Sequence, residues 1–270
     1  MAVASTCPLL SLPHELRNQV YLTFLFSSDP CPANPDACRS THYGIPNPPN
    51  GNLSYKAVGY VPANTNSRRL LAVSSQVRSE VSALVASLRS QDKLDYHLDL
   101  IVENVGRLFA TPRCFPAPAG HIPILRADLR FFGQYDLSQG CVALWGQSLT
   151  SFLNMFLSLG PDYVRLSSRQ RPRERVSIKT LAINILSVPM TPEWMVRVRV
   201  VLQPGEEAKD VGDLELGLRV VEREIENLLD CRPRLLRDNY LLYEGIEVVE
   251  SWAGGRLRRK WVMNAMSSQS

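Results

Sequence analysis

Ser148 sits in Val142-Ala-Leu-Trp-Gly146-Gln-Ser148-Leu-Thr150, an apolar run followed by Gly-x-Ser-x-small and then a helical pattern. In a strand–turn–helix setting, that order can expose a serine hydroxyl for attack on an acyl carbon, provided that a base removes its proton. The second glycine of such a turn is missing. The base should follow the serine in the chain, yet the last histidine is His121, so Ser148 reads as an ordinary residue near a helix start. Cys31, Cys38 and His42 form the only other cluster with ligand chemistry, but Cys-x6-Cys matches no common zinc spacing and a fourth ligand is not evident. His14 and His97 have no ligand-spaced partners, and the phosphate-loop, dinucleotide and His-Glu-x-x-His patterns are absent. The residues point to no cofactor, no metal and no enzyme.

Charge is the next resource. Arg165, Arg169, Arg171, Arg173, Arg175 and Lys179 precede a strand pattern, and Arg256, Arg258, Arg259 and Lys260 adjoin Trp261. The first group reads as a solvated loop and the second as the polar face of an edge strand, where positive charge discourages aggregation. A net charge of +4 over 270 residues and a pI near 8.8, with poor aromatic interleaving, argue against a nucleic-acid partner. With 45% hydrophobic residues the chain can bury a substantial core. The start of the chain lacks a basic n-region, no apolar run approaches membrane-spanning length, and six scattered cysteines fit a reducing cytoplasmic or nuclear compartment.

Three kinds of segment must position these residues. The first is a helix that opens at Pro13, whose fixed φ suits a first helical position and whose missing N–H costs nothing there. Leu16, Val20 and Phe24 recur every four residues along it, Tyr21 and Leu25 widen the stripe, and Arg17, Asn18, Gln19 and Thr23 are expected to face away. A second amphipathic helix carries Leu70, Val73, Val77, Val81, Leu84 and Leu88, with a kink near Ser74 and Ser75. Between them, residues 27–66 hold seven prolines and no sustained periodicity. They read as an irregular excursion that could be cut out, since a loop of about forty residues costs only ~1 to 2 kcal/mol more than a short connection. From about Leu94 the pattern alternates: strands over Tyr96 to Glu103, Ile122 to Phe132 and Val176 to Val188, with a helix over Leu149 to Leu159. A helix over Leu214 to Leu229 and a strand over Tyr240 to Trp252 follow, and Val196 to Val200 favours a strand. Leu181-Ala-Ile-Asn-Ile-Leu-Ser is apolar enough for a central strand, and Gly254-Gly255 suggests an edge hairpin.

Leu12-Pro13-x-Glu15-Leu16-Arg17-x-x-Val20-Tyr21, followed by Arg69-Leu-Leu-Ala-Val73-Ser-Ser-Gln76-Val-Arg78-Ser-Glu80, resembles the F-box-like domain abundant in fungal proteins. The matched stretches cover about a fifth of the chain, and the first is the more specific. The resemblance implies a helical module that docks on the Skp adaptor of a cullin-type ubiquitin ligase through Leu12, Pro13, Leu16 and Val20, with Leu70, Leu71 and Val73 contributing. The remainder of the chain would then present a protein substrate.

The expected architecture is α+β: a split F-box-like helical module over residues 1–91 with the Pro-rich insertion at 27–66, then a mixed α/β recognition region over 92–270, compatible with a few degenerate strand–helix repeats. The expected function is a non-catalytic ubiquitin-ligase adaptor and substrate receptor. The alternatives are a scaffold or regulatory interaction protein with a degenerate F-box-like fold and, remotely, a serine hydrolase through Ser148. Periodicity alone leaves open whether Leu16, Val20 and Phe24 dock a partner or pack on Val77, Val81 and Leu84.

Overall fold

The computed structural model describes residues 8–39, 42–44, 53–56, 66–103, 107–118, 120–132, 134–136, 142–159, 175–186, 197–200, 209–211, 222, 225–226, 242 and 244–263. A 3-10 turn (Pro8–Ser11) leads into α1 (His14–Leu25). Then follow α2 (Pro35–Arg39), β1 (His42–Gly44), β2 (Leu53–Lys56), α3 (Asn66–Leu71) and α4 (Ser75–Ser90). The rest of the chain supplies β3 (Asp95–Glu103), β4 (Arg107–Cys114), β5 (His121–Phe132), β6 (Gln134–Asp136), α5 (Val142–Leu159), β7 (Ser177–Ile185), β8 (Arg197–Val200), β9 (Lys209–Val211), β10 (Ile246–Ala253) and β11 (Arg256–Val262). The protein thus combines helices with a mixed sheet, the α+β class that the sequence implies.

Among the described residues, eight strands make the main sheet in the order β1-β2-β4-β3-β5-β7-β10-β11, and β6-β8-β9 form a small second one. At its centre β3, β5, β7 and β10 run parallel to one another in chain order. Parallel neighbours need crossovers, and α5 lies in the chain between β5 and β7. Its Leu149, Phe152, Leu153, Phe156 and Leu157 pack with Leu98, Leu100, Leu125, Leu129, Leu181 and Ile183 in the main core. Both faces of β3 are covered: Ile101 turns the other way and meets Cys38, Phe109 and Phe132. The strand itself alternates, with Tyr96, Leu98, Leu100 and Val102 in the main core and Asp99, Ile101 and Glu103 on the second face, where Asp99 is held by Arg130 and Glu103 by Arg39. Leu157 also closes on Gly245, where an added Cβ would lie 2.8 Å from its Cδ1 and 2.9 Å from its Cδ2. Since Leu157 is itself buried, Gly245→Ala should cost about 1–3 kcal/mol, read as a lower midpoint in urea with the slope unchanged.

Several expectations hold and several need correction. Residues 254 and 255 make the hairpin turn, both with positive φ (54° and 73°), which glycine adopts at no steric cost. β7 is flanked on both sides and β8 is a strand. Residues 27–66, however, are not simply an irregular excursion, because α2, β1 and β2 lie within them and β2 pairs parallel with β4. Strands of three and four residues are too short to register as a period. The second helix is not kinked but broken into α3 and α4, with the Ser74 side chain accepting the Val77 N–H at 3.1 Å as N-cap. β4 has no counterpart in the sequence reading. The strand expected from Tyr240 begins only at Ile246, since the described positions Leu242, Glu244 and Gly245 are helical. Of the helix expected over residues 214–229, the described positions Glu222, Ile225 and Glu226 are helical and the rest lies outside the described residues.

The helices α1, α3 and α4 share a second core of Tyr21, Leu25, Leu70, Val77 and Val81. Phe26, Val85 and Leu88 pack against this core and the main one alike, so the helical module and the sheet are fused. Asn66 closes the 27–66 segment: its side-chain N–H groups donate to the carbonyls of Leu25 (2.7 Å) and Ser27 (2.9 Å), fixing where the chain leaves and returns.

Candidate docking surface

α1 starts one residue later than expected. Pro13 is its N-cap, with ψ 149°, and Glu15 lies in the first turn, where a carboxylate favours the positive helix end. The helix then divides its residues by face. Tyr21 and Leu25 are buried against α3 and α4, with Phe24 packed beside them. Arg17, expected to point away, instead belongs to this inner side. Its guanidinium grips Glu80 of α4 in a fork, Nε to Oε2 at 2.9 Å and Nη2 to Oε1 at 2.7 Å, and its remaining Nη1 donates to the Leu12 carbonyl. The Tyr21 hydroxyl donates to the same carboxylate at 2.8 Å, and Gln76 donates to it at 3.0 Å.

The two halves of the motif therefore meet: Arg17 and Tyr21 from the first converge on Glu80 from the second, to which Gln76 also donates. Arg78, between them, donates to the Leu71 carbonyl at 3.0 Å and ties the end of α3 to the start of α4. The Arg17 hydrogen bond holds the Glu80 carboxyl down at about 2, and Gln76 and Tyr21 add to the effect. Burial, then the bond to Glu80, raises the Tyr21 phenol above its ordinary value. A carboxyl whose folded value is depressed stabilises the fold fully above its unfolded value and loses that contribution as pH falls towards the folded one. Wild-type stability should accordingly fall between about pH 4.5 and 2, and Glu80→Gln should flatten that limb of the curve in thermal melts. An unchanged acid limb in the Glu80→Gln protein would remove Glu80 as its origin.

What the inner face uses determines what the outer face offers. Leu16 is 46% exposed and Val20 43%, so neither packs in the Val77, Val81 and Leu84 core; only Phe24 of that expected trio does. Pro13 is exposed and Leu12 half-buried. In α1, Leu16 and Val20 are four residues apart and lie on one face. Val73, in the turn between α3 and α4, is 60% exposed, whereas Leu71 is half-buried and Leu70 is a core residue. Among the described residues only five large hydrophobic side chains are exposed, and three of them, Leu16, Val20 and Val73, belong to this module.

The other candidates come apart. Ser148 is buried and lies within the second turn of α5, and the apolar stretch before it is the helix start rather than a strand, so the strand–turn–helix geometry is missing. His121 is exposed and contacts the Ser177 hydroxyl at 2.9 Å. No group of three or more potential metal ligands gathers among the described residues. Cys31 donates to Asp99 at 3.0 Å, and burial, then Asp99, pushes its thiol up to about 11, while Cys38 lies in an apolar pocket. His42 shows its backbone in β1. Arg165, Arg169, Arg171 and Arg173 lie outside the described residues. No described helix is long and apolar enough to cross a membrane. No family model, no curated protein and no solved structure matches the chain.

Proposed function

We propose that this chain is a non-catalytic F-box-like substrate receptor, cytoplasmic or nuclear, that docks on a Skp-type adaptor of a cullin-type ubiquitin ligase. Leu12, Pro13, Leu16, Val20 and Val73 provide the contact, with Leu71 at its margin and Leu70 as part of the floor beneath. The observation that supports this reading is the outward exposure of Leu16 and Val20 on a helix whose opposite face is fully engaged. Exposed aliphatic side chains on a rigid element suit a partner's hydrophobic surface. The sheet region holds a protein substrate beside the ligase, and transfer is promoted by effective concentration rather than by any group of this chain. Affinity purification of the full chain, followed by identification of bound proteins, tests this: the adaptor should be recovered stoichiometrically with a substrate. A folded chain that recovers other proteins but no adaptor would be a scaffold or regulatory interaction protein instead.

A further inference from the structure

The last strand of the main sheet, β11, pairs with β10 on one side, and among the described residues no strand pairs with its other side. It carries Arg256, Arg258, Arg259 and Lys260 and no acidic residue. Arg259 pairs with Glu226 and Lys260 with Glu250, while Arg256 has no ion pair among the described residues. Val249, Ala253 and Trp261 belong to the main core, so Leu257, Lys260 and Val262, which lie opposite Trp252, Glu250 and Val248, occupy the other face. Leu257 and Val262 are each 47% exposed and are the two large exposed hydrophobic side chains of the described residues outside the helical module.

Positive charge discourages edge-to-edge pairing with another copy of this chain, since like charges would meet, but it favours a segment of opposite charge, and Leu257 and Val262 add apolar contact area on one face of the same edge. An unpaired strand edge supplies backbone donors and acceptors, and pockets for alternate side chains supply selectivity. We propose that the outer edge of β11 takes up an extended segment of a partner protein by strand addition, a segment in which acidic and aliphatic residues alternate. The aliphatic residues would cover Leu257 and Val262, and the acidic residues would meet Arg256 and compete with Glu226 and Glu250 for Arg259 and Lys260. Naming such a segment as the substrate's recognition element rests on the receptor reading above; the binding itself does not.

Direct binding of a fluorescent peptide of about ten residues with alternating Glu and Val to the full chain tests this without the adaptor, so its failure and the failure of adaptor docking are separate results. Binding should weaken about tenfold in Arg256→Glu combined with Arg258→Glu, with circular dichroism unchanged, and should weaken as salt is raised. N-methylation of alternate peptide amides should abolish it, because strand addition needs those N–H groups. Leu257→Lys should weaken it too, with the charge of the edge increased. Equal affinity for the N-methylated peptide, or preferential uptake of a single-stranded oligonucleotide of equal charge, would overturn the proposal in favour of a nonspecific cationic surface.

Discussion

Leu16→Asp and Val20→Asp should each abolish recovery of the adaptor while shifting the melting temperature by no more than about 2 °C. Both side chains are exposed in the free chain, and substitutions at such positions usually stay within about 0.5 kcal/mol of wild type. In a docked interface the same carboxylate would be desolvated without a partner, and hydrophobic anchors of this kind are typically worth ~2 to 4 kcal/mol. The control lies one residue further round the same helix. Tyr21 and Leu25 are fully buried, and Leu25→Ala should cost about 2–5 kcal/mol of stability. Pull-down and thermal melts on the same preparations separate the two effects. If the Asp variants stay folded and still recover the adaptor at wild-type levels, α1 is not the docking element.

Replacing residues 29–63 by a short flexible linker should unfold the protein or leave it aggregating, contrary to what the composition of that segment suggests. The gain in closing a shorter loop is only ~1 to 2 kcal/mol. Against it stands the uncovering of Ile101, Phe109 and Phe132, all fully buried beside Cys38, at up to ~1.5–3 kcal/mol for each side chain. Polar bonds go as well: the Asp29 N–H to the Arg113 carbonyl at 2.9 Å, Arg130 to the Pro32 carbonyl at 2.8 Å, and Arg39 to Glu103. A point variant probes the same region without shortening the chain. Arg130 holds the fully buried Asp99 through Nε at 2.9 Å and Nη2 at 2.6 Å, and Arg130→Met would leave that carboxylate without its countercharge. Breaking a buried pair from one side typically costs about 3–5 kcal/mol. Chemical denaturation of both variants provides the measurement, and wild-type midpoints would return the segment to the status of a dispensable loop.

Sequence patterns expose what a single element does with its own residues, and they fail where a second element decides. The Gly254-Gly255 turn, the apolar β7 and the long helix α4 all announce themselves locally, because turn geometry and periodicity belong to contiguous residues. The role of Arg17 does not. Periodicity assigns an arginine to the wet side, whereas its inward placement depends on Glu80, sixty-three residues away. β4 escapes for a related reason: Pro112, Arg107 and Arg113 read as loop residues, and only pairing with β3 on one side and β2 on the other makes Arg107–Cys114 a strand. For the proposed docking face, the resemblance draws attention to α1, but which of its residues look outward follows from packing. Leu70 shows the limit, since its type suits an interface as well as a core and its burial decides for the core.

The four parallel strands at the middle of the main sheet lie side by side in the order in which they occur in the chain, and this has a consequence for biosynthesis. As a ribosome delivers β3, β5, β7 and β10 in turn, each finds its predecessor's edge already formed and needs no later strand to wedge in between. The growing sheet therefore carries one exposed advancing edge at each stage, and the β10–β11 hairpin, emerging after β7, covers the β7 edge and presents a strand rich in positive charge in its place. A truncated product ending before residue 246 would keep β7 as an open, apolar edge, the kind of surface that chaperones and quality-control proteases engage.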